Sequence, residues 1–252
     1  MIILFLIALM QPIFGSSSFL DSRIIGGEVA KVGEVPHVVS LRNTSGIHIC
    51  GGSLISDVWV LSTVKCAQST YSIQYGKLNI TTENDTESVI RVNHTIVHPE
   101  YNPNDTQHDI VLLKLANPIK IDDNVKPANL PPEDEFTWPW SVGTLAGWGR
   151  LKVEGEFPKQ LQIVNTSVVG WGDCKFNLWK KGNVYQTNIC VGGRQEASGQ
   201  CYADDGGPFT QYGMVVGILS WFVAPPCGAR GFPAVYTRVA SYRNWIRDNT
   251  GI

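Results

Sequence analysis

Two aspartates stand side by side in CYADDGGPF, Asp204 and Asp205, and a third, Asp109, leads the apolar run of HDIVLLKL. With Lys65 in VLSTVKC, these are the residues whose types and surroundings could do chemistry. A carboxylate can attack as a nucleophile or carry a proton, and a deprotonated lysine can act as a base. Metal chemistry has weaker support. His94 and His98 are spaced i, i+4, but VNHTIVHPEY reads as strand and turn, so the imidazoles would not share a helical face. The chain has no C-x-x-C pair, and neither a metal nor a cofactor is expected.

The elements that must position these residues read as β-strands. HVVSL, WVLST, SIQYG, IVLLKL, LQIVNTSVV, MVVGILSWF and AVYTRVA are rich in Val, Ile, Leu and Tyr and alternate with Gly, Pro, Asn and Asp clusters. That spacing implies an all-β sandwich or barrel. Only VASYRNWIRDN at the end is helix-like, with Val239, Tyr242 and Ile246 at i, i+3 and i+7. No internal repeat or low-complexity linker interrupts the chain.

With 252 residues, 43% of them hydrophobic, the chain can fill one full β-domain or two small half-domains. A formal charge of -2 lacks the basic excess of a nucleic-acid or heparin-binding protein. The first residues, MIILFLIALMQPIFG, form an apolar run closed by Pro12, Gly15 and three serines, which suits a secretory signal over residues 1–16. The run falls short of the ~20 residues that span a bilayer, so no membrane span is expected. Six cysteines, Cys50, Cys66, Cys174, Cys190, Cys201 and Cys227, form an even set suited to an oxidising compartment, although six allow 15 pairings. Sequons at Asn43, Asn79, Asn84, Asn93, Asn104 and Asn165 are candidates for glycosylation, five of them within the 62 residues from Asn43 to Asn104.

Eight stretches in order then carry a family resemblance: RIIGG from Arg23, CGGSLIS from Cys50, VLSTVKC, HDIVLLKL, LAGWGR, CYADDGGPF, ILSW and PAVYTRV. Together they resemble a trypsin-like serine protease of the chymotrypsin fold, from Ile24 to the C-terminal helix. The resemblance implies a short propeptide over 17–23, a domain over 24–252, and two six-stranded antiparallel barrels with a cleft between them. It selects the pairs Cys50–Cys66, Cys174–Cys190 and Cys201–Cys227. It also implies an activation ion pair between Ile24, freed by cleavage after Arg23, and Asp204.

Acyl transfer on this scaffold needs a hydroxyl nucleophile, an imidazole that takes its proton, and a carboxylate that orients the imidazole. Against the family pattern, only the carboxylate remains, as Asp109. Lys65 occupies the imidazole position, and a lysine at its ordinary pKa of ~10.4 is a cation with no lone pair to accept a proton. Asp205 occupies the nucleophile position, where acyl transfer would give a mixed anhydride with no histidine to activate water. Ala203 replaces the glycine beside the nucleophile that supplies an oxyanion-hole N–H, with Tyr202 before it. Gly199 stands at the pocket floor, where trypsins carry an acid, and Phe222 and Ala234 replace wall glycines.

The expectation is therefore a catalytically inactive protease homologue that acts by binding. HPEYNPNDTQHDIVLLKL resembles mite group 3 allergen proteases, and the loss of triad and pocket resembles the inactivated protease paralogues of parasitic mites. That likeness implies secretion and extracellular host proteins as partners, complement components above all. The alternatives are a hydrolase with a rearranged site and a glycan or heparin-binding module. Candidate recognition loops surround Asp85, Asn104, Glu154 and Lys181.

Overall fold

A computed structural model describes residues 27–80, 87–151, 154, 156–193 and 199–252. The first barrel closes in the order β2 (Val38–Arg42), β3 (His48–Leu54), β4 (Trp59–Ser62), β7 (Val111–Leu115), β6 (Val89–Val97) and β5 (Ser72–Gln74), and β5 pairs back onto β2. The second runs β8 (Val142–Gly147), β9 (Gln162–Val169), β10 (Asn188–Val191), β13 (Ala234–Arg238), β12 (Met214–Trp221) and β11 (Pro208–Gln211), closing onto β8. All the pairings are antiparallel, and β1 (Glu28–Val29) adds to the outside of β9. The fold is the expected all-β pair of six-stranded barrels with a C-terminal helix.

Strand alternation divides the apolar residues between two cores. In β7, Val111, Leu113 and Leu115 fill the first barrel, while Leu112, with Ile110 just before the strand, joins Val215, Ile218, Tyr242 and Ile246 in a separate cluster. Period-two geometry sends neighbouring side chains to opposite faces, so one short strand contributes to both clusters. The helix α3 (Arg243–Thr250) follows a 3-10 turn over Val239–Tyr242 and ends at Gly251 with φ 79, the left-handed cap that glycine adopts freely. Val239, Tyr242 and Ile246, the residues of the sequence pattern, are all buried.

Two helices depart from the sequence reading, which found helical character only at the end: a single turn over Val64–Ala67 and a longer one after β9. The helix α2 (Trp171–Asn177) buries only Cys174 within its span. Its anchor is the Cys174–Cys190 disulfide, with Leu178 buried just beyond. It therefore lacks the apolar stripe by which a sequence announces a helix. Disulfides Cys50–Cys66 and Cys201–Cys227 complete the expected pairing.

The barrels meet closely where β3 passes the loop before β11. Gly51 donates its N–H to the Asp205 carbonyl at 2.8 Å, and a Cβ at Gly51 would lie 2.8 Å from the Gly207 Cα. Nothing larger than glycine fits that approach. On the other side, Trp148 at the end of β8 donates Nε1–H to the Leu78 carbonyl at 2.8 Å.

Candidate functional site

Lys65 is carried by α1 (Val64–Ala67), one helical turn at the end of β4. A helix start leaves backbone N–H groups without partners, and Thr63 at the N-cap makes no side-chain cap. Asp109 supplies the acceptor instead: its Oδ1 takes the Val64 N–H at 2.8 Å. Its Oδ2 takes the Ser220 hydroxyl at 2.7 Å, and Thr237 donates to its carbonyl at 2.7 Å. Asp109 is buried, and that burial raises its pKa to about 6 against the pull of the Ser220 and Val64 hydrogen bonds.

The turn bearing Asp205 is tied down on both sides. Gly206 N–H donates to the Leu219 carbonyl, and Leu219 N–H donates to the Gly207 carbonyl. The side chain of Asp205 faces Lys65, whose Nζ donates to Oδ2 at 3.2 Å. The ammonium end is open to water, with the Lys65 side chain 67% exposed and that of Asp205 11% exposed. Burial raises the Asp205 pKa and Lys65 opposes the rise. Lys65 is thus paired with Asp205. Asp109 spends its oxygens on Val64 and Ser220, and makes no ion pair within 4.0 Å among the described residues.

Asp204 turns away into the second barrel. Its oxygens accept the N–H groups of Gly149 and Cys201, each at 2.8 Å. A Cβ at Gly147 or Gly149 would sit 2.2 Å from this carboxyl group, so the two glycines of LAGWGR make room for it. Burial raises its pKa to about 7. Ile24, the proposed ionic partner, lies outside the described residues, as do Arg23, the segments 1–16 and 17–23, Asn84 and Asp85.

Ala203 has φ 72, a left-handed conformation that glycine takes freely and alanine adopts at a cost. Its carbonyl is held by a residue the sequence reading passed over. His48 Nε2 lies 3.2 Å from the Ala203 oxygen, and His48 Nδ1 lies 2.8 Å from the Ser40 hydroxyl. Burial lowers the His48 pKa to about 4, so the ring is neutral and bridges β2 to the Ala203 turn. The clue in sequence was its place two residues before the Cys50-Gly-Gly motif.

The remaining positions lie around the Cys201–Cys227 disulfide. Phe222, partly buried, packs on this disulfide and on the second barrel's core, and meets Tyr202 edge to face with ring centroids 6.1 Å apart. Gly199 has φ 134, and a Cβ there would lie 4.0 Å from the Gly228 Cα. Ala234 is fully buried in the second core. Of the sequons, Asn93, Asn104 and Asn165 are exposed, whereas Asn43 and Asn79 are half-buried.

A family profile described as Trypsin matches residues 24–246. The chain is 34% identical over 232 residues to "Trypsin" of Sus scrofa, covering 90% of this chain and 96% of the relative. It is also 34% identical to "Trypsin II-P29" of Gallus gallus, with 90% and 89% covered. Among solved structures, mouse neuropsin, a serine protease expressed in the limbic system of the brain, superposes with a TM-score of 0.80 at 30% identity, covering 88% of this chain and 98% of that one. Sequence similarity along nearly the whole chain and the shared double barrel lead to one conclusion: this protein belongs to the trypsin family.

Proposed function

We propose that this protein is a secreted, catalytically inactive member of its family that acts by binding, and that it inhibits a host extracellular protease cascade such as complement. One observation carries the loss of activity: the positions of the base and the nucleophile hold an ion pair, Lys65 Nζ to Asp205 Oδ2 at 3.2 Å. Hydrolysis by this scaffold begins when a neutral base takes a proton from a hydroxyl. Here the group at the base position donates a proton and the group at the nucleophile position accepts it. Asp109 still has the hydrogen bonds of an orienting carboxylate and has no imidazole to orient.

The substrate side supports the same reading. Phe222 and Tyr202 place two aromatic rings together where glycine walls would open a pocket, and Gly199 offers no charge for a basic side chain. Ala203 carries a Cβ in a left-handed turn beside the nucleophile position. Secretion is supported by the apolar leader and three disulfides, with Arg23–Ile24 as the proposed processing site.

Binding is left to the exterior, where loops on a rigid scaffold carry recognition. Asn104, Glu154 and Lys181 are exposed. Phe136 and Trp138, both exposed, pack edge to face at 5.0 Å, and clustered apolar exposure of this kind marks protein contact surfaces. The test is to add the purified protein to serum and follow cascade deposition together with the integrity of each component. The expected result is reduced deposition with every component intact. Unchanged deposition would refute the inhibition, and a new cleavage product would refute the inactivity.

A further inference from the structure

Away from the cleft, where β6 ends, His98, Glu100 and His108 each bring one potential ligand atom within 4.8 Å of the others. The loop between them is fixed by its own backbone. Tyr101 N–H donates to the His98 carbonyl at 3.0 Å, and Asn102 N–H donates to the Gln107 carbonyl at 3.1 Å. The His98 and His108 rings stack, with centroids 4.9 Å apart and planes 10° apart. His108 Nδ1 lies 3.1 Å from the Tyr242 hydroxyl, while its Nε2 lies 3.8 Å from Glu100 Oε2.

That division of labour on one imidazole has a chemical meaning. A metal-binding histidine ligates through one ring nitrogen while the other donates to an oxygen, which fixes tautomer and ring orientation. Tyr242, held in the buried cluster beneath α3, is placed to be that oxygen for His108. His98 is walled by Tyr242 and Trp245, at centroid distances of 5.3 and 5.2 Å.

We propose that His98, Glu100 and His108 form a binding site for a divalent transition metal, with Zn2+ the expected ion. Two imidazoles and one carboxylate are a zinc ligand set, whereas Ca2+ and Mg2+ take oxygen ligands. Tetrahedral zinc bonds of about 2.0–2.2 Å put two ligand atoms roughly 3.3–3.6 Å apart. The widest spacing of the 4.8 Å cluster therefore closes by roughly 1.2–1.5 Å as the stacked rings tilt and the exposed Glu100 side chain swings toward the ion. The 3.3 Å contact from Glu100 N–H to His98 Nδ1 is long enough to be given up if that nitrogen takes the metal. Glu100 is 72% exposed on its side chain, so a fourth position opens to solvent. A bound ion would lock the Asn104 loop against the C-terminal helix.

The test is calorimetric titration of the chelator-treated, untagged, full-length protein with Zn2+, repeated with Co2+ while watching for the visible absorption of a tetrahedral site. Expected are one equivalent bound, a higher thermal midpoint with Zn2+, and affinity weakened at least tenfold by Glu100→Gln or His98→Gln. Glu100 lies on the surface, so its variant tests the ligand without threatening the fold. His94→Ala, on the exposed strand β6, should bind as the parent does. Absence of saturable binding overturns the proposal, as does binding that Glu100→Gln and His98→Gln leave unchanged or that His94→Ala abolishes.

Discussion

Behind the cleft, Asp109 and Asp204 each accept hydrogen bonds on both carboxylate oxygens, four contacts of 2.7–2.8 Å in all. In front of it, Asp205 meets one side chain, Lys65, at 3.2 Å, and that lysine is mostly in water. The difference is energetic. Each acceptor lost from the back leaves a buried donor without a partner, at about 1–3 kcal/mol apiece, whereas a pair whose cation lies mostly in water is worth about 0–1 kcal/mol. The back is therefore bound to the fold and the front is not. Side chains at the front can change with little penalty to folding, which is the physical basis on which the proposed inactive member would keep its barrels.

The sharpest way to break this comparison is to rebuild the front and ask whether the preserved back suffices. Lys65→His with Asp205→Ser restores a formal triad over Asp109. Removing a nucleophile or base from a serine protease costs ~10⁶ in kcat, so full recovery would be an effect of that size. We expect little peptidase activity from the double variant, because Phe222, Ala203 and Ala234 would still obstruct the substrate or the oxyanion hole. Adding Phe222→Gly and Ala203→Gly should raise kcat/KM by roughly 10²-fold or more, since one oxyanion donor alone contributes 10²–10³. Efficient cleavage of trypsin or chymotrypsin substrates by the double variant would show that the front is open.

The next effect separates the two back carboxylates from the histidines buried near them. Asp204 and Asp109 have folded pKa values raised to about 7 and about 6 from 3.8, so the folded state holds protons the unfolded chain releases. Their contribution to stability is present at low pH and is lost as pH rises from about 4 to about 7. His37 and His48 are lowered from 6.5 to about 4, and their contribution is lost as pH falls through that window. The opposing slopes should leave the parent nearly flat from pH 4 to 6.5. Asp204→Asn removes one falling term, so its stability relative to the parent should improve by about 2–4 kcal/mol between pH 4 and pH 7.5, read by urea unfolding at both pH values. Cleavage after Arg23 should reverse the sign at pH 7.5, because the Ile24 ammonium of the proposed ion pair would favour the charged aspartate. If cut and uncut chains respond alike, that ion pair does not form.

What the sequence could convey follows the same division. The strands were legible because apolar alternation is local, and so was the C-terminal helix. The helix α2 was not, because a disulfide and Leu178 anchor it. Lys65 and Asp205 were legible as departures from the motif they resemble, and the fold supplies their pairing, since 140 residues separate them in the chain. His48 and Ser40 were invisible as a pair, eight residues apart, until the pairing of neighbouring strands β2 and β3 brought their side chains together. The His98–Glu100–His108 cluster was missed because i, i+4 spacing directed attention to His94, whereas a loop closure brings His108 back to His98.

The smallest effect is the most direct test of how loosely the front is held. Lys65→Met removes the ammonium and keeps an unbranched apolar side chain of similar length. The lysine side chain is 67% exposed, so water screens the pair and little folding energy should be lost, under about 1 kcal/mol at pH 7. The residual cost has a defined origin and sign. Burial raises the Asp205 pKa and Lys65 opposes that rise, so the variant's carboxyl should go higher still. A carboxyl with a raised folded pKa loses its stabilising contribution as pH increases, so the gap between Lys65→Met and the parent should be near zero at pH 4 and widen toward neutrality. Urea unfolding at pH 4, 5.5 and 7 measures that gap. A loss above about 2 kcal/mol at pH 7, or one that is the same at all three pH values, would mean that Lys65 is structurally committed like Asp109, and the distinction between front and back would fall.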